Sequence, residues 1–396
     1  MLDIYQAQQI LLEHTKPINK IEIIPIENAN NRVLAQDIKA TFDMPRFNNS
    51  AMDGYGIKIS DTGKKVTIIN KTLAGDKKIS IQEGECIKIM TGSAVDDSVE
   101  AIVPIEYVTI KENSIILPED IKYYANIRPQ GEEFKKGDIL LKKGEILNPS
   151  KIALIASLGI THIQVFQKPN ILVIPTGNEI KNHYENISDT EHFNSSSIYF
   201  SLQNLANITI APIANDNIET IKSLIDPTYD LIITTGGVSK GDADFTTEAF
   251  RQSGYDIKFS WIAIKPGKPF GFAVKNDKIA TLLTGNPLAA VFNFNIFVLP
   301  MIRKLAGCKD FYIDYILLPS TNTLKRKAGR DEVIPVQLSQ QGVVLSSKRG
   351  SGMISVTSKS DGIIIINKAS WEISKNQLLK FINFQYWTDS FQEFIS

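Results

Sequence analysis

"LIITTGGVSKGDADFTTEAF", residues 231–250, passes from an apolar run through a glycine turn into a helix start. Leu231 to Thr235 form an unbroken apolar and β-branched segment, which is how a strand buried on both faces reads. Gly236 and Gly237 then let the backbone turn sharply and approach a ligand closely. FTTEAF opens a helix, and of the two acids before it Asp244 is the better N-cap candidate. That leaves Asp242, Ser239 and Gly241 free for other work. A carboxylate beside a glycine-rich turn suits a hard cation such as Mg²⁺, which binds through one or two carboxylates and substrate phosphates.

The same rhythm extends outward in both directions. ILVIP, SSIYFSLQNLAN, ITIAPIA, IETIKSLI, LIITT, FTTEAFRQSG, IKFSWIAI and IATLLT alternate before a long helix to about Leu305. Such alternation predicts an α/β fold, a doubly wound, mostly parallel sheet with helices on both faces. Ligands of such sheets bind beyond the carboxyl ends of the strands. Upstream, DIYQAQQILLEH reads as a helix, and residues 64–117 as a small β-rich domain. Residues 137–165 read as strand, helix and strand, with the helix capped near Asn148 to Ser150 and ended at Gly159, so they can rejoin the N-terminal piece around the β-rich insertion. From 311 onward β-rich segments return as a terminal barrel or sandwich.

Three further loops follow strands in the alternating region. PTGNEI, 175–180, offers Thr176, Gly177 and Glu179. IKPGKPFGFAV, 264–274, places Lys265 and Lys268 on a loop stiffened by Pro266 and Pro269 and loosened by Gly267. LLTGNPLAAV, 282–291, offers Gly285, Asn286 as a cap and Pro287 in the first helical turn, where free amides and the dipole make a phosphate site. Each loop alone reads better as an ordinary turn or capped helix. Together they supply glycine turns, a helix start, two lysines and two acids, which fits a phosphate-bearing ligand, an oxyanion and a metal. A unit charge about 4 Å from a lysine is worth roughly 4 kcal/mol at an effective dielectric near 20, so two lysines concentrate an oxyanion without trapping it.

Composition narrows the partners. Among 396 residues, Lys plus Arg and Asp plus Glu are both 43, so the formal charge is zero. A broad nucleic-acid surface would carry a basic excess. Cys86 and Cys308 are too far apart for a zinc pair and too few for a disulfide framework, and His14, His162, His183 and His192 lack metal-ligand spacing. MLDIYQAQQILLEH has neither the basic nor the apolar region of a signal peptide. The apolar stretch 282–302 contains Gly285, Pro287, Pro300 and three asparagines, which speaks against a membrane span. The expectation is a soluble, cytoplasmic protein.

Seven segments in this order resemble one family, the molybdopterin molybdenumtransferases of the MoeA type, which include the E domain of gephyrin. They are DMPRFNNSAMDGYG at 43–56, MTGSAVDDSVEAIVP at 90–104, NIRPQGEEFKKGDIL at 126–140, GGVSKGDADF at 236–245, KPGKPFGFA at 265–273, TGNP at 284–287 and SGMISVTSKSDGIII at 351–365. The resemblance implies four domains: a discontinuous linker domain, 1–45 with 137–167; a β-rich insertion, 46–136; an α/β molybdopterin-binding domain, 168–310; and a C-terminal β domain, 311–396. It implies a homodimer with a site between the α/β domain of one subunit and the insertion of the other. The implied reaction inserts molybdate into adenylylated molybdopterin and releases AMP, assisted by Mg²⁺. The partners it implies are the adenylyltransferase that supplies the adenylate and acceptor molybdoenzymes.

Carried over by position, Asp53, Glu133, Glu179, Asp242, Lys265 and Lys268 are the reactive set, with Glu179 and Asp242 at the metal and the lysines on molybdate. Thr91, Gly92, Thr176, Gly177, Gly236, Gly237, Ser239, Gly241, Gly267, Gly285, Asn286 and Pro287 are expected to hold the ligand. The chain departs from the family pattern at Glu133 and Asn178, where Asp is usual, at Ser196, at Thr284, where Pro is usual, and in SAVDDS. Two alternatives share the α/β module: an adenylyltransferase or nucleotide hydrolase, and a molybdopterin-binding scaffold with weakened chemistry.

Overall fold

The computed structural model describes residues 1–238, 244–327, 329–347 and 350–384. The chain forms two compact units, one of Met1–Gln36, Lys143–Ile152 and Thr161–Ser396, the other of Asp37–Lys142 and Ala153–Ile160.

The second unit is built on a six-stranded sheet in the order Ala101–Pro104, Gly54–Ile57, Glu85–Ile89, Lys65–Thr72, Ser114–Ile116, Thr109–Lys111. Successive side chains of a strand point to opposite faces, and this sheet buries both. Ala101, Val103 and Cys86 join one core with Tyr55 and Val66, whereas Ile102, Ile87 and Ile89 join another with Val95 and Ile127.

The first unit contains the sheet expected from the alternating segments. Its strand order is Asn207–Ile210, Asn170–Pro175, Leu231–Thr235, Lys278–Leu283, Pro269–Lys275, Asp256–Trp261. The first four are parallel, and Pro269–Lys275 runs antiparallel between Lys278–Leu283 and Asp256–Trp261. The reversal has a local cause. Asn276, at φ 55°, and Asp277 make a two-residue turn across which Lys275 pairs with Lys278, and such turns require a positive φ that asparagine tolerates. The helix Phe245–Gln252 is capped by Asp244, whose carboxylate accepts the Thr247 amide at 3.2 Å. Asn148 caps Pro149–Ser157 through the Lys151 amide, and Gly159 ends that stretch at φ 73°.

Pro287–Leu305 is a 19-residue helical run, interrupted by a π-turn at Phe294–Val298. Among the described residues it is the helix long and apolar enough to cross a membrane, and 94% of its apolar window is buried inside this protein. It anchors a core with the sheet residues Ile171, Val173, Ile233 and Phe270 and with Ile4, Leu11 and Leu12 of the N-terminal helix Ile4–His14. That first helix starts in a capping box between Asp3 and Gln6.

The C-terminal β segments form a second six-stranded sheet whose main path runs Ile264–Lys265, Asp331–Ser339, Gly362–Ile366, Leu378–Asn383, Ile316–Pro319. One face, with Ile334, Val336, Ile364 and Phe381, closes its own core. The other, with Val333, Ile363, Ile365 and Ile382, packs into the core of the α/β sheet. This sheet borrows a strand from the α/β region: Ile264–Lys265 pairs in parallel with Asp331 and Glu332 before the chain re-enters the α/β sheet at Pro269. The two-lysine loop therefore spans two sheets.

Candidate functional site

Three parallel strands, Asn170–Pro175, Leu231–Thr235 and Lys278–Leu283, end side by side and are followed by Thr176, Gly236 and the Thr284–Gly285 turn. They border a cavity of about 760 Å³, within the range of small-molecule sites. Its floor is backbone. Gly236 lies at φ 99°, and a Cβ there would sit 2.5 Å from the Thr176 carbonyl oxygen. Gly237 lies at φ 64°, and its Cβ would sit 2.2 Å from Thr246 Oγ1. Only glycine fits either position. Two buried hydroxyls fix the turn: Thr246 Oγ1 donates to the Gly236 carbonyl at 3.1 Å and Thr176 Oγ1 to the Thr235 carbonyl at 3.1 Å. The Gly236 amide donates to the Leu283 carbonyl at 2.9 Å. That bond occupies the Gly236 amide and leaves the Gly237 amide as the turn's candidate donor to an anion.

Of the residues expected at this site, the structure brings together Thr176, Gly177, Glu179, Gly236, Gly237, Gly285, Asn286 and Pro287 around the cavity. Ser239, Gly241 and Asp242 lie outside the described residues. Lining residues that the sequence does not assign to the site include Asp216, His192 and Phe193. The missing signal was spatial. Asp216 follows the edge strand Asn207–Ile210, and Thr176 bridges Ala214 beside it. Asn178 and Asp216 clasp each other, the Asn178 amide donating to the Asp216 carboxylate at 3.3 Å and the Asp216 amide to Asn178 Oδ1 at 3.1 Å. Thr246 was also overlooked, although a β-branched hydroxyl in the first turn after two glycines was a usable sign.

The helix start at Pro287 corrects one expectation. Asn286 occupies the N-cap position but makes no side-chain cap, and the amides of Leu288 and Ala289 both donate to the Ser351 carbonyl, at 3.0 and 3.3 Å. These amides are not free for phosphate, because the SGMIS segment from the C-terminal region satisfies them. The same segment brings Gly352 and Ile354 to the cavity wall.

Lys265 and Lys268 do not line this cavity. Lys265 Nζ lies 3.1 Å from Glu332 Oε1, and the other oxygen of that buried carboxylate accepts from Arg326 Nε at 2.9 Å. Lys265, Lys325, Lys327 and Trp371 border a separate depression above this pair. Lys268 makes no ion pair among the described residues, and its Nζ stands 5.4 Å from the centre of the Trp261 ring. Gly267, between them, lies at φ 98°.

In the β-rich unit, Asp53 Oδ1 accepts both the amide and the hydroxyl of Thr91 at 2.7 Å, and Gly92, at φ 81°, donates its amide to Ser50. The sequence pointed to all three separately and the fold assembles them. Hydrogen bonds from the Thr91 amide and then its hydroxyl hold the Asp53 carboxyl below its ordinary range. Glu133 is exposed, and its amide donates to the Met44 carbonyl at 2.9 Å.

Among the described residues no three acidic, histidine or cysteine side chains cluster as a metal site. Glu179 and Asp216 face the one cavity, and two carboxylates suffice for Mg²⁺ when substrate phosphates complete its shell.

Residues 2–159 match the MoeA N-terminal region, domains I and II; 172–304 match a probable molybdopterin-binding domain; and 318–384 match the MoeA C-terminal region, domain IV. A putative molybdopterin biosynthesis protein of Methanocaldococcus jannaschii is 33% identical over 95% of this chain and 94% of its own. A molybdopterin molybdenumtransferase of Haemophilus influenzae is 30% identical over 98% of this chain and 99% of its own. The crystal structure of the molybdopterin biosynthesis MoeA protein of Pyrococcus horikoshii OT3 superposes with a TM-score of 0.84 at 25% identity, covering 97% of this chain and all of that one. With three family regions matched in order and relatives aligned end to end, the chain belongs to the MoeA family.

Proposed function

We propose that this protein inserts molybdenum into adenylylated molybdopterin and releases AMP, acting as a molybdopterin molybdenumtransferase. One observation carries the reading: a cavity floored by glycine backbone at three parallel strand ends, in a chain of this family. The Gly237 amide receives a phosphate oxygen of the adenylate, with Thr176, Gly177, Gly236, Gly285, Asn286 and Pro287 shaping the walls. Glu179 and Asp242 hold Mg²⁺, with Asp216 as a further carboxylate at the same cavity. Bound there, Mg²⁺ neutralises pyrophosphate charge. Lys265 and Lys268 receive molybdate, and Ser239 adds a hydroxyl donor. Asp53, Thr91, Gly92 and Glu133 form a second group on the β-rich unit. We further infer a cytoplasmic homodimer and keep the four-domain division.

The test is AMP release and molybdenum incorporation when purified protein meets adenylylated molybdopterin, Mg²⁺ and molybdate. Molybdate-dependent AMP release with a molybdenum-bearing product is expected. A second reading, tight binding without turnover, draws on Lys265 being engaged by Glu332. Binding of the adenylate with no AMP formed under saturating molybdate would establish it instead.

A further inference from the structure

We infer that Asn293 is the positioning residue of the two-lysine loop. The inference rests on reading that loop as the oxyanion site. Pro266 and Pro269 remove two donors from the segment 265–269, so few backbone bonds can fix it. Between the strand pairings at Lys265 and Pro269, its backbone is held at two carbonyls. Lys268 accepts the Ile262 amide at 3.1 Å, and Gly267, at the apex, accepts Asn293 Nδ2 at 2.9 Å. Asn293 is fully buried at the end of the helix Pro287–Asn293, directly before the π-turn Phe294–Val298. Such turns recur at functional sites.

The packing between Asn293 and Gly267 is tight and specific. A Cβ on Gly267 would lie 2.6 Å from Asn293 Oδ1 and 2.8 Å from Nδ2, so the amide lies flat against the glycine. Among the described residues Asn293 Oδ1 is buried without a hydrogen-bond partner. An apolar side chain of similar size would pack there and leave no buried acceptor unpaired, a condition that costs stability. The amide's contribution is thus its bond to the loop apex. Gly267 stands one residue from Lys268 and two from Lys265, so this bond fixes the backbone between the two ammonium groups, while Glu332 also holds that of Lys265.

Asn293→Leu keeps the volume and removes the donor, while Asn293→Thr keeps a donor. In the AMP-release assay, Asn293→Leu should raise the apparent KM for molybdate about tenfold, the scale of a misplaced contact, and leave the KM for adenylate within about twofold. Asn293→Thr should recover most of that loss. On a Lys268→Ala background, Asn293→Leu should add less than about twofold, because a residue acting through the lysine cannot lose the effect twice. Equal rises in both KM values, or an undiminished tenfold effect in the double variant, would reduce Asn293 to a packing residue. If Asn293→Leu does not fold, Asn293→Ala replaces it in the same cycle with the same outcomes. Unchanged molybdate KM in Lys265→Ala and Lys268→Ala would overturn the reading of the loop and this inference together, whereas lysine effects without an Asn293 effect overturn the inference alone.

Discussion

The glycine cavity and the two-lysine loop sit in one compact unit and are built on opposite plans. The cavity is made of backbone: two glycines at positive φ, pinned by the buried hydroxyls of Thr176 and Thr246, at the ends of strands paired on both sides. The loop is made of side-chain charge, carried between two sheets and held through Asn293 and Glu332. The difference concerns what each can tolerate. A backbone site has no slack for an added atom, whereas a charged site has slack in its long side chains but depends on what each charge is paired with.

Gly237→Ala should break the comparison at its hardest point. The added methyl meets Thr246 Oγ1 at 2.2 Å, at a φ that L residues avoid, and Thr246 is itself fixed on the Gly236 carbonyl. We expect destabilisation of about 2 kcal/mol or more together with loss of adenylate binding, measured by denaturant titration and calorimetry. Gly285→Ala is the control. Its Cβ would stand 3.5 Å from Gly236 Cα, an ordinary contact, so stability should change by less than about 1 kcal/mol. If the two variants behave alike, steric closure of the turn is not what shapes the cavity.

The next effect down belongs to the charges. Lys265→Ala with Lys268→Ala should cut molybdate-dependent turnover at low molybdate by at least about a hundredfold, since each ammonium supplies a kcal/mol or more toward the oxyanion. The fold should survive, because Glu332 keeps Arg326 when Lys265 is gone. Retained turnover in the double variant would remove the loop from the site.

This contrast also explains what the sequence could and could not say. Strands, glycine turns and caps are local events, so Leu231–Thr235, Gly236, Gly237, Asn148 and Asp244 were legible from their neighbours alone. The family motifs added the β-rich group of Asp53, Thr91 and Gly92, which are far apart in the chain and meet in the fold. Pairings without a local signature were not legible. Ser351 capping the helix at Pro287, Asp216 clasping Asn178, and Glu332 holding Lys265 each link residues separated by a turn of the whole fold. Equivalence of the two lysines was a natural reading of KPGKP, and only the partner of each shows that their surroundings differ.

Asn178 sharpens the cavity side at a smaller scale. The resemblance implies Asp at this position, and a lost carboxylate would weaken metal binding. The clasp shows how the amide is used: its Oδ1 accepts the Asp216 amide, a role that a carboxylate oxygen can also fill. Asn178→Asp should therefore leave the turn intact and add a negative charge beside Asp216 and Glu179. The expected result is Mg²⁺ affinity raised several-fold, on the order of 1 kcal/mol, in a magnesium titration of AMP release. Unchanged or weaker affinity would place the metal away from this rim.

The smallest expected effect lies in the β-rich unit, where Asp53 combines the two plans: a charged group that fixes a glycine turn. Its carboxyl is held below the ordinary value of 3.8 by the Thr91 amide and hydroxyl. A group whose folded pKa is lowered contributes stability above its unfolded pKa and loses it as pH falls toward the folded value. The contribution of Asp53 should thus be complete at neutral pH, begin to fade near 3.8 and vanish below the lowered value. A side-chain amide at this position carries no charge but can still accept one hydrogen bond. Asp53→Asn should therefore lower the urea midpoint modestly at neutral pH, with the gap to the parent closing as the medium is acidified through that window. A gap that stays constant from neutral pH into strong acid would mean that the Thr91 turn is held by shape rather than by the charge of Asp53. The β-rich group would then belong with the backbone plan of the cavity and not with the lysine loop.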